Sequence, residues 1–127
     1  MRRGRLRWRL VEALVAMDLT NKRIAVIGMA RTGLAVAEVA ALRGAHVVIY
    51  DRKPASELGA AIAECRRIGV ESRTDDTPIE LDGIDLLVPS PGVPRALPAL
   101  VEAGSRVIEV ISEIELAYRI AAAPIIA

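Results

Sequence analysis

Phenylalanine is missing from this chain of 127 residues, and aromatic residues make up only 2% of it. Yet 53% of the residues are hydrophobic, so the core has to be assembled from Val, Ile, Leu and Ala. That palette suits strands covered on both faces by Ala-rich helices, as in parallel α/β sheets. A single cysteine, Cys65, excludes an internal disulfide and gives no sign of an oxidising compartment. A single histidine, His46, excludes a zinc cluster. No apolar run approaches the roughly 20 residues that a membrane-spanning helix needs. The chain also lacks the strongly basic balance of a nucleic-acid-binding domain: its net charge is +1.

That small net charge is unevenly distributed. Residues 1–16 carry Arg2, Arg3, Arg5, Arg7 and Arg9 against Glu12, a local charge of +4 that leaves −3 for residues 17–127. With Leu6, Leu10, Leu14 and Val15 on one side, the leader can be read as a basic helix lying on a membrane surface. It can also be read as an extension upstream of a start at Met17, and the second reading is the expectation adopted here. A signal peptide would need a longer uncharged stretch than Glu12 permits. Residues 17–127 are expected to form one domain, a length that can bury an adequate core.

From Lys22 onward, short apolar runs alternate with helical stretches. Strands are expected at Arg23–Gly28, His46–Tyr50, Val70–Arg73, Ile84–Val88 and Arg106–Val110. Helices are expected at Arg31–Arg43, stopped by Gly44, at Ser56–Ile68, stopped by Gly69, and at Ala96–Ala103, stopped by Gly104. Ser112 followed by Glu115 forms a capping box opening a helix to Ala122, and Ile125–Ala127 begins a further strand. Strands alternating with helices predict a Rossmann-like, doubly wound parallel sheet.

Three motifs fall at the carboxyl ends of strands, where such sheets bind ligands. The turn Gly28-Met29-Ala30-Arg31-Thr32-Gly33 joins the first strand to the first helix. Gly28 permits the tight turn, Gly33 allows close helix–strand packing, and the helix N-terminus favours an anion such as pyrophosphate. The dinucleotide fingerprint requires glycine where Ala30 stands, so this turn is either a nucleotide site or a plain tight turn. Asp51-Arg52-Lys53 ends the second strand. Its carboxylate could accept a ribose hydroxyl, as in an NAD enzyme, or the imide N–H of a base, and the two cations could stack on a base or offset phosphate charge. Lying at a strand end, Asp51 is expected to be exposed, so that its loss would weaken nucleotide binding and change folding little. Ser90-Pro91-Gly92-Val93-Pro94 forms a stiff loop whose backbone can lie flat against a ring. Cys65 shares a helix stripe with Leu58, Ile62 and Ile68 and is expected to fill core. His46 has no evident carboxylate partner, and Trp8 lies in the leader. No residue is expected to be catalytic or to bind metal.

In order and spacing, four stretches resemble the N-terminal domain of the Mur ligases that add D-glutamate: KRIAVIGMARTG (Lys22–Gly33), VIYDRKP (Val48–Pro54), DLLVPSPGVP (Asp85–Pro94) and SEIELAYRIAAAPIIA (Ser112–Ala127). The family often has alanine at the position of Ala30, whereas Pro89 departs from the aliphatic residue usual there. The resemblance implies that UDP-N-acetylmuramoyl-L-alanine is held by its UDP part. Arg31 and Thr32 would lie at the diphosphate beside Gly28. Asp51 and the backbone of Arg52 would meet the uracil edge, Lys53 and Gly92 would flank the ring, and Ser90 and Pro91 would shape that wall. It further implies a cytoplasmic, monomeric protein of peptidoglycan synthesis. In the family, ATP and Mg²⁺ act in a following domain that opens with a P-loop: ATP phosphorylates the substrate carboxylate and D-glutamate displaces the phosphate. This sequence contains no GxxxxGK[ST], so the chain by itself is expected to bind without catalysing and to need no cofactor. The rival expectation is an NAD(P)-binding Rossmann module of a dehydrogenase or regulatory protein, and a third is an interaction module with no small ligand.

Overall fold

The computed structural model describes residues 19–106, 108–112 and 115–116. The basic leader, the helix expected to run to Ala122 beyond Leu116, and the strand expected at Ile125–Ala127 therefore lie outside the described residues. Five strands form a parallel sheet in the order β3-β2-β1-β4-β5. They are β1 (Arg23–Ile27), β2 (His46–Tyr50), β3 (Glu71–Arg73), β4 (Leu86–Pro89) and β5 (Glu109–Val110). Three helices connect them: α1 (Arg31–Leu42), α2 (Gly59–Ile68) and α3 (Pro98–Ser105). The chain is thus the doubly wound α/β domain that the alternation of elements predicts, and the strand order reverses at β1, between β2 and β4.

The lack of large aromatics is met by strict alternation along buried strands. Ile24, Val26, Val47, Ile49, Leu86 and Val88 face one core, with Val36, Ala37 and Ala40 of α1 and Cys65 of α2. Ala25, Ile27, Tyr50 and Leu87 face the other, with Ala103 of α3 and Leu81. Cys65 is a fully buried filler of the first core, as the helix stripe predicts, and burial pushes its thiol pKa up, with the Glu64 carboxylate adding to the effect. The second face is covered partly by chain without regular structure. No helix links β3 to β4; Ile79, Leu81 and Ile84 of the connecting loop pack on the sheet instead.

Several element boundaries differ from expectation, each for a local reason. Residues Ala55–Glu57 form a 3-10 turn, and the α-helix begins only at Gly59, because Leu58 turns out of helical geometry (φ −118°, ψ 22°) to enter the core. Helix α3 starts at Pro98, where the missing N–H is no loss at the first helical position. It runs through Gly104 to Ser105, so Gly104 does not stop it. Arg106 caps this helix and Ile108 N–H bonds back to Ala103 O, which shortens β5 to two residues. Strand β4 starts two residues later than expected, because Ile84 N–H closes a turn onto Leu81 O. Pro89 extends β4 opposite Ile27, and Ser90 N–H then donates to Ile27 O at 2.9 Å. Successive residues of a parallel strand bond to opposite neighbours, so the nitrogen of Pro89 faces the β5 side, where the ladder ends at Val110. Proline donates no hydrogen there, and the β4–β5 ladder ends beside it.

On the outer surface, Arg67 of α2 bonds both Glu64 and Glu38 of α1, with the latter at 3.1 Å. These hydrogen bonds, that to Glu64 first, hold the guanidinium above its ordinary pKa. The cluster is exposed and adds little to stability; the core carries the fold. Ile49→Ala, at a fully buried position, should therefore lower the unfolding free energy by about 2–5 kcal/mol. Leu42→Ala, at a side chain 80% exposed, should change it by less than about 0.5 kcal/mol. Urea denaturation followed by circular dichroism measures both.

Candidate functional site

At the reversal of strand order, the glycine turn after β1 and the Ser-Pro-Gly loop after β4 lie against each other. Gly28 has φ +113°, a backbone region that side chains rarely adopt. A Cβ built there would meet Ser90 Oγ at 2.9 Å and Ser90 Cβ at 3.1 Å. Glycine is required twice over, by the conformation and by this contact. The Ser90 loop is closed by Val93 N–H donating to Ser90 O at 3.0 Å, leaving Pro91 and Gly92 exposed beside the turn.

Beyond the turn, Ala30 is the extended residue that precedes α1 and supplies no side-chain cap. The first helical hydrogen bond is Leu34 N–H to Ala30 O at 2.9 Å, so the amides of Arg31, Thr32 and Gly33 precede the helical ladder. No acidic residue occupies the first turn, and such an end favours an anion. Gly33 is buried and Thr32 is exposed. Arg31 lines a groove of about 490 Å³ between α1 and α2, with Leu34, Ala35, Glu38, Ala60, Ala61 and Glu64.

Asp51 departs from the exposed carboxylate that its strand-end position suggests. It is only half exposed, and both its oxygens accept main-chain hydrogens: Oδ2 from Met29 N–H and Oδ1 from Lys53 N–H, each at 2.9 Å. The carboxylate thus bridges the loop after β2 to the glycine turn, and each oxygen keeps capacity for a further donor. These two charge-assisted bonds give Asp51 a structural role that the expectation of little-changed folding leaves out.

A second set of contacts, not evident from the sequence, surrounds this loop. In the turn Thr74-Asp75-Asp76-Thr77, Asp75 and Asp76 both have left-handed backbones, with φ of 59° and 56°. Asp75 N–H holds Lys53 O at 2.9 Å, and Asp76 faces Arg52 at 3.9 Å across exposed side chains. Consecutive aspartates between threonines are a turn signal, since Asp tolerates this conformation, but nothing local ties that turn to residues 52 and 53. Below it, Tyr50 is buried, and its hydroxyl accepts Glu80 N–H at 3.2 Å and Arg73 Nη1 at 3.3 Å. Hydrogen bonds to Glu71 and Glu80 hold the Arg73 guanidinium above its ordinary pKa. The side chains of Arg52 and Lys53 themselves are exposed. Gly28, Ser90, Asp51 and Lys53 are thus linked through direct neighbours, whereas Arg31 lines the helix groove. Among the described residues, no three His, Cys, Asp or Glu side chains gather where they could hold a metal, and no helix is long and apolar enough to cross a membrane.

Comparison with known proteins gives the family and the fold. The family model described as Mur ligase MurD-like, N-terminal domain, matches residues 22–112. The chain is 42% identical over 113 residues to the UDP-N-acetylmuramoylalanine–D-glutamate ligase of Pelobacter propionicus, covering 87% of this chain and 25% of that protein. It therefore spans about a quarter of the length of the curated relatives it matches. Among solved structures it is similar to the dipicolinate synthase A chain of Bacillus subtilis, with a TM-score of 0.57 and 16% identity over 94% of this chain and 49% of that one. It is also similar to shikimate dehydrogenase of Aquifex aeolicus, with a TM-score of 0.55 and 14% identity over 91% and 52% respectively. At those identities the likeness is one of fold alone.

The close approach of Gly28 and Ser90 has a direct test. Gly28→Ala should destabilise the domain by about 1–3 kcal/mol, the range for a non-glycine residue held in such a conformation. Adding Ser90→Gly should recover only part of that loss, because it removes the contact and leaves the strained φ. Thermal unfolding of the single and double variants measures the two contributions.

Proposed function

The chain belongs to the family of MurD-like N-terminal domains of Mur ligases, and on that premise we propose that it binds the UDP part of UDP-N-acetylmuramoyl-L-alanine for a D-glutamate-adding ligase of peptidoglycan synthesis. The observation that carries this reading is the meeting of the glycine turn, the Asp51 loop and the Ser90 loop at one edge of the sheet. In this arrangement the diphosphate sits over the amides that open α1. Thr32 and Arg31, which open that helix, are at hand. The uracil edge meets Asp51 and the main chain of Arg52, Lys53 and Gly92 flank the ring, and Ser90 and Pro91 form its wall. The domain acts in the cytoplasm as a monomer, on a soluble nucleotide sugar.

The dinucleotide alternative is less well supported. Alanine stands where the fingerprint needs its middle glycine. Nor do the residues present fit ATP and Mg²⁺. The glycine turn carries no P-loop lysine, since the chain's lysines are Lys22, before β1, and Lys53, after β2, and phosphoryl transfer needs such a group with a metal beside it. Ligation and its ATP are therefore assigned to the parts of a ligase that this chain does not span.

Two measurements test the proposal. Calorimetric titration should give heat with UDP and with UDP-N-acetylmuramoyl-L-alanine and none with NADH; binding of NADH without response to either uridine nucleotide would overturn the reading. The chain should not turn over ATP, with or without D-glutamate. Phosphate release that rises in proportion to chain concentration through successive purification steps would contradict the assignment of ATP chemistry elsewhere.

A further inference from the structure

We propose that Asp51 is a positioning residue that couples the two halves of the nucleotide site, so that occupancy of the phosphate turn and of the base loop are felt by each other; this rests on the nucleotide reading above. One of the carboxylate's two bonds is local: Oδ1 accepting Lys53 N–H two residues on is the ordinary turn that aspartate forms with its own backbone. The other is not. Oδ2 accepts Met29 N–H from a separate element, 22 residues away in sequence, inside the turn between Gly28 and α1. Local turn chemistry does not require that bond, and its effect is to tie the glycine turn to the loop after β2.

The surroundings make the tie effective. On one side, Met29 is buried in the core and Gly28 is confined by Ser90, so the turn has little freedom except through its amides. On the other, Lys53 O is held by Asp75 N–H at 2.9 Å, which braces the loop against the Thr74–Thr77 turn. A hydrogen-bonded path therefore runs from Met29 through the Asp51 carboxylate to Lys53 and on to Asp75. An anion at the amides of α1 shifts the turn that holds Oδ2, and a base beside Lys53 shifts the loop that holds Oδ1. Both pull on one rigid carboxylate, and coupling between two ligands is necessarily reciprocal.

Asp51→Asn tests this role, with uridine affinity measured alone in the variant to tell lost coupling from a lost contact with the base. The amide oxygen can still accept Lys53 N–H, while the NH₂ group cannot accept from Met29. Two-dimensional NMR of the full chain, with inorganic pyrophosphate and uridine as separate probes, reads the effect. In the parent chain, pyrophosphate should shift the Lys53 amide as well as that of Met29, and saturating uridine should tighten pyrophosphate binding by about fivefold or more, the lower end of ordinary coupling. In Asp51→Asn the Lys53 response should vanish and the coupling fall to about onefold, with the other amides of the sheet in place. Equal coupling in parent and variant would overturn the proposal, as would a Lys53 amide that pyrophosphate leaves unmoved in the parent. A parent chain that binds UDP but shows no coupling overturns the coupling role and leaves the nucleotide reading intact. A parent chain silent to uridine, UDP and pyrophosphate alike overturns both.

Discussion

Strand β1 is hydrogen-bonded along both edges, to β2 and to β4, and covered on both faces, by α1 and α2 on one side and by α3 and the loop after β3 on the other. A strand in that position cannot carry a polar side chain on either face, which is why its last four residues, Ile24 to Ile27, are all buried. Parallel neighbours also oblige the chain to cross back over the sheet between strands, and those crossings supply the helices that bury it. With no phenylalanine available, density comes from many small aliphatic contacts, and alanines on α1 let the helix lie close to the strands.

The same burial places the site. A central strand sealed on every side can meet solvent only at its ends, and at the carboxyl end the flanking connections run in opposite directions because β2 and β4 lie on opposite edges. The crevice between them is where a ligand can approach backbone amides. What lines it follows from contacts across the sheet: Gly28 gives room to Ser90, and Asp51 reaches back to Met29. Exposed charges such as Arg52 and Lys53 are presented by this frame without forming part of it, and their main chain is set by Asp51 and Asp75.

Strand cores and helix interiors were legible because their signal is periodic and local. Runs such as RIAVI and HVVIY match the observed strands to within a residue, and Gly44 and Gly69 end their helices with left-handed backbones, as their positions suggest. Boundaries decided by competition were not legible. Leu58 leaves the helix pattern because the core takes its side chain, and Gly104 stays helical because nothing there demands a left-handed residue. The Thr74–Thr77 turn could be read as a turn from its aspartates, but its hold on Lys53 could not, since it depends on β3 lying beside β2.

By itself the sequence determined the class of fold, the alternation of buried strands with helices, and the three motifs that end strands at one edge, because each is set by residues near one another in the chain. It also determined that the chain carries no P-loop motif, since that chemistry needs a pattern of residues that can be read directly. Only the tertiary structure decided how those motifs act on each other: that a side chain at Gly28 would meet Ser90, that Pro89 stands where the β4–β5 ladder ends, and that the Asp51 carboxylate spans two loops rather than standing in solvent. The reason is physical. Each of these is a contact between segments distant in sequence, fixed by the strand order β3-β2-β1-β4-β5, and local propensity carries no information about which strand lies beside which.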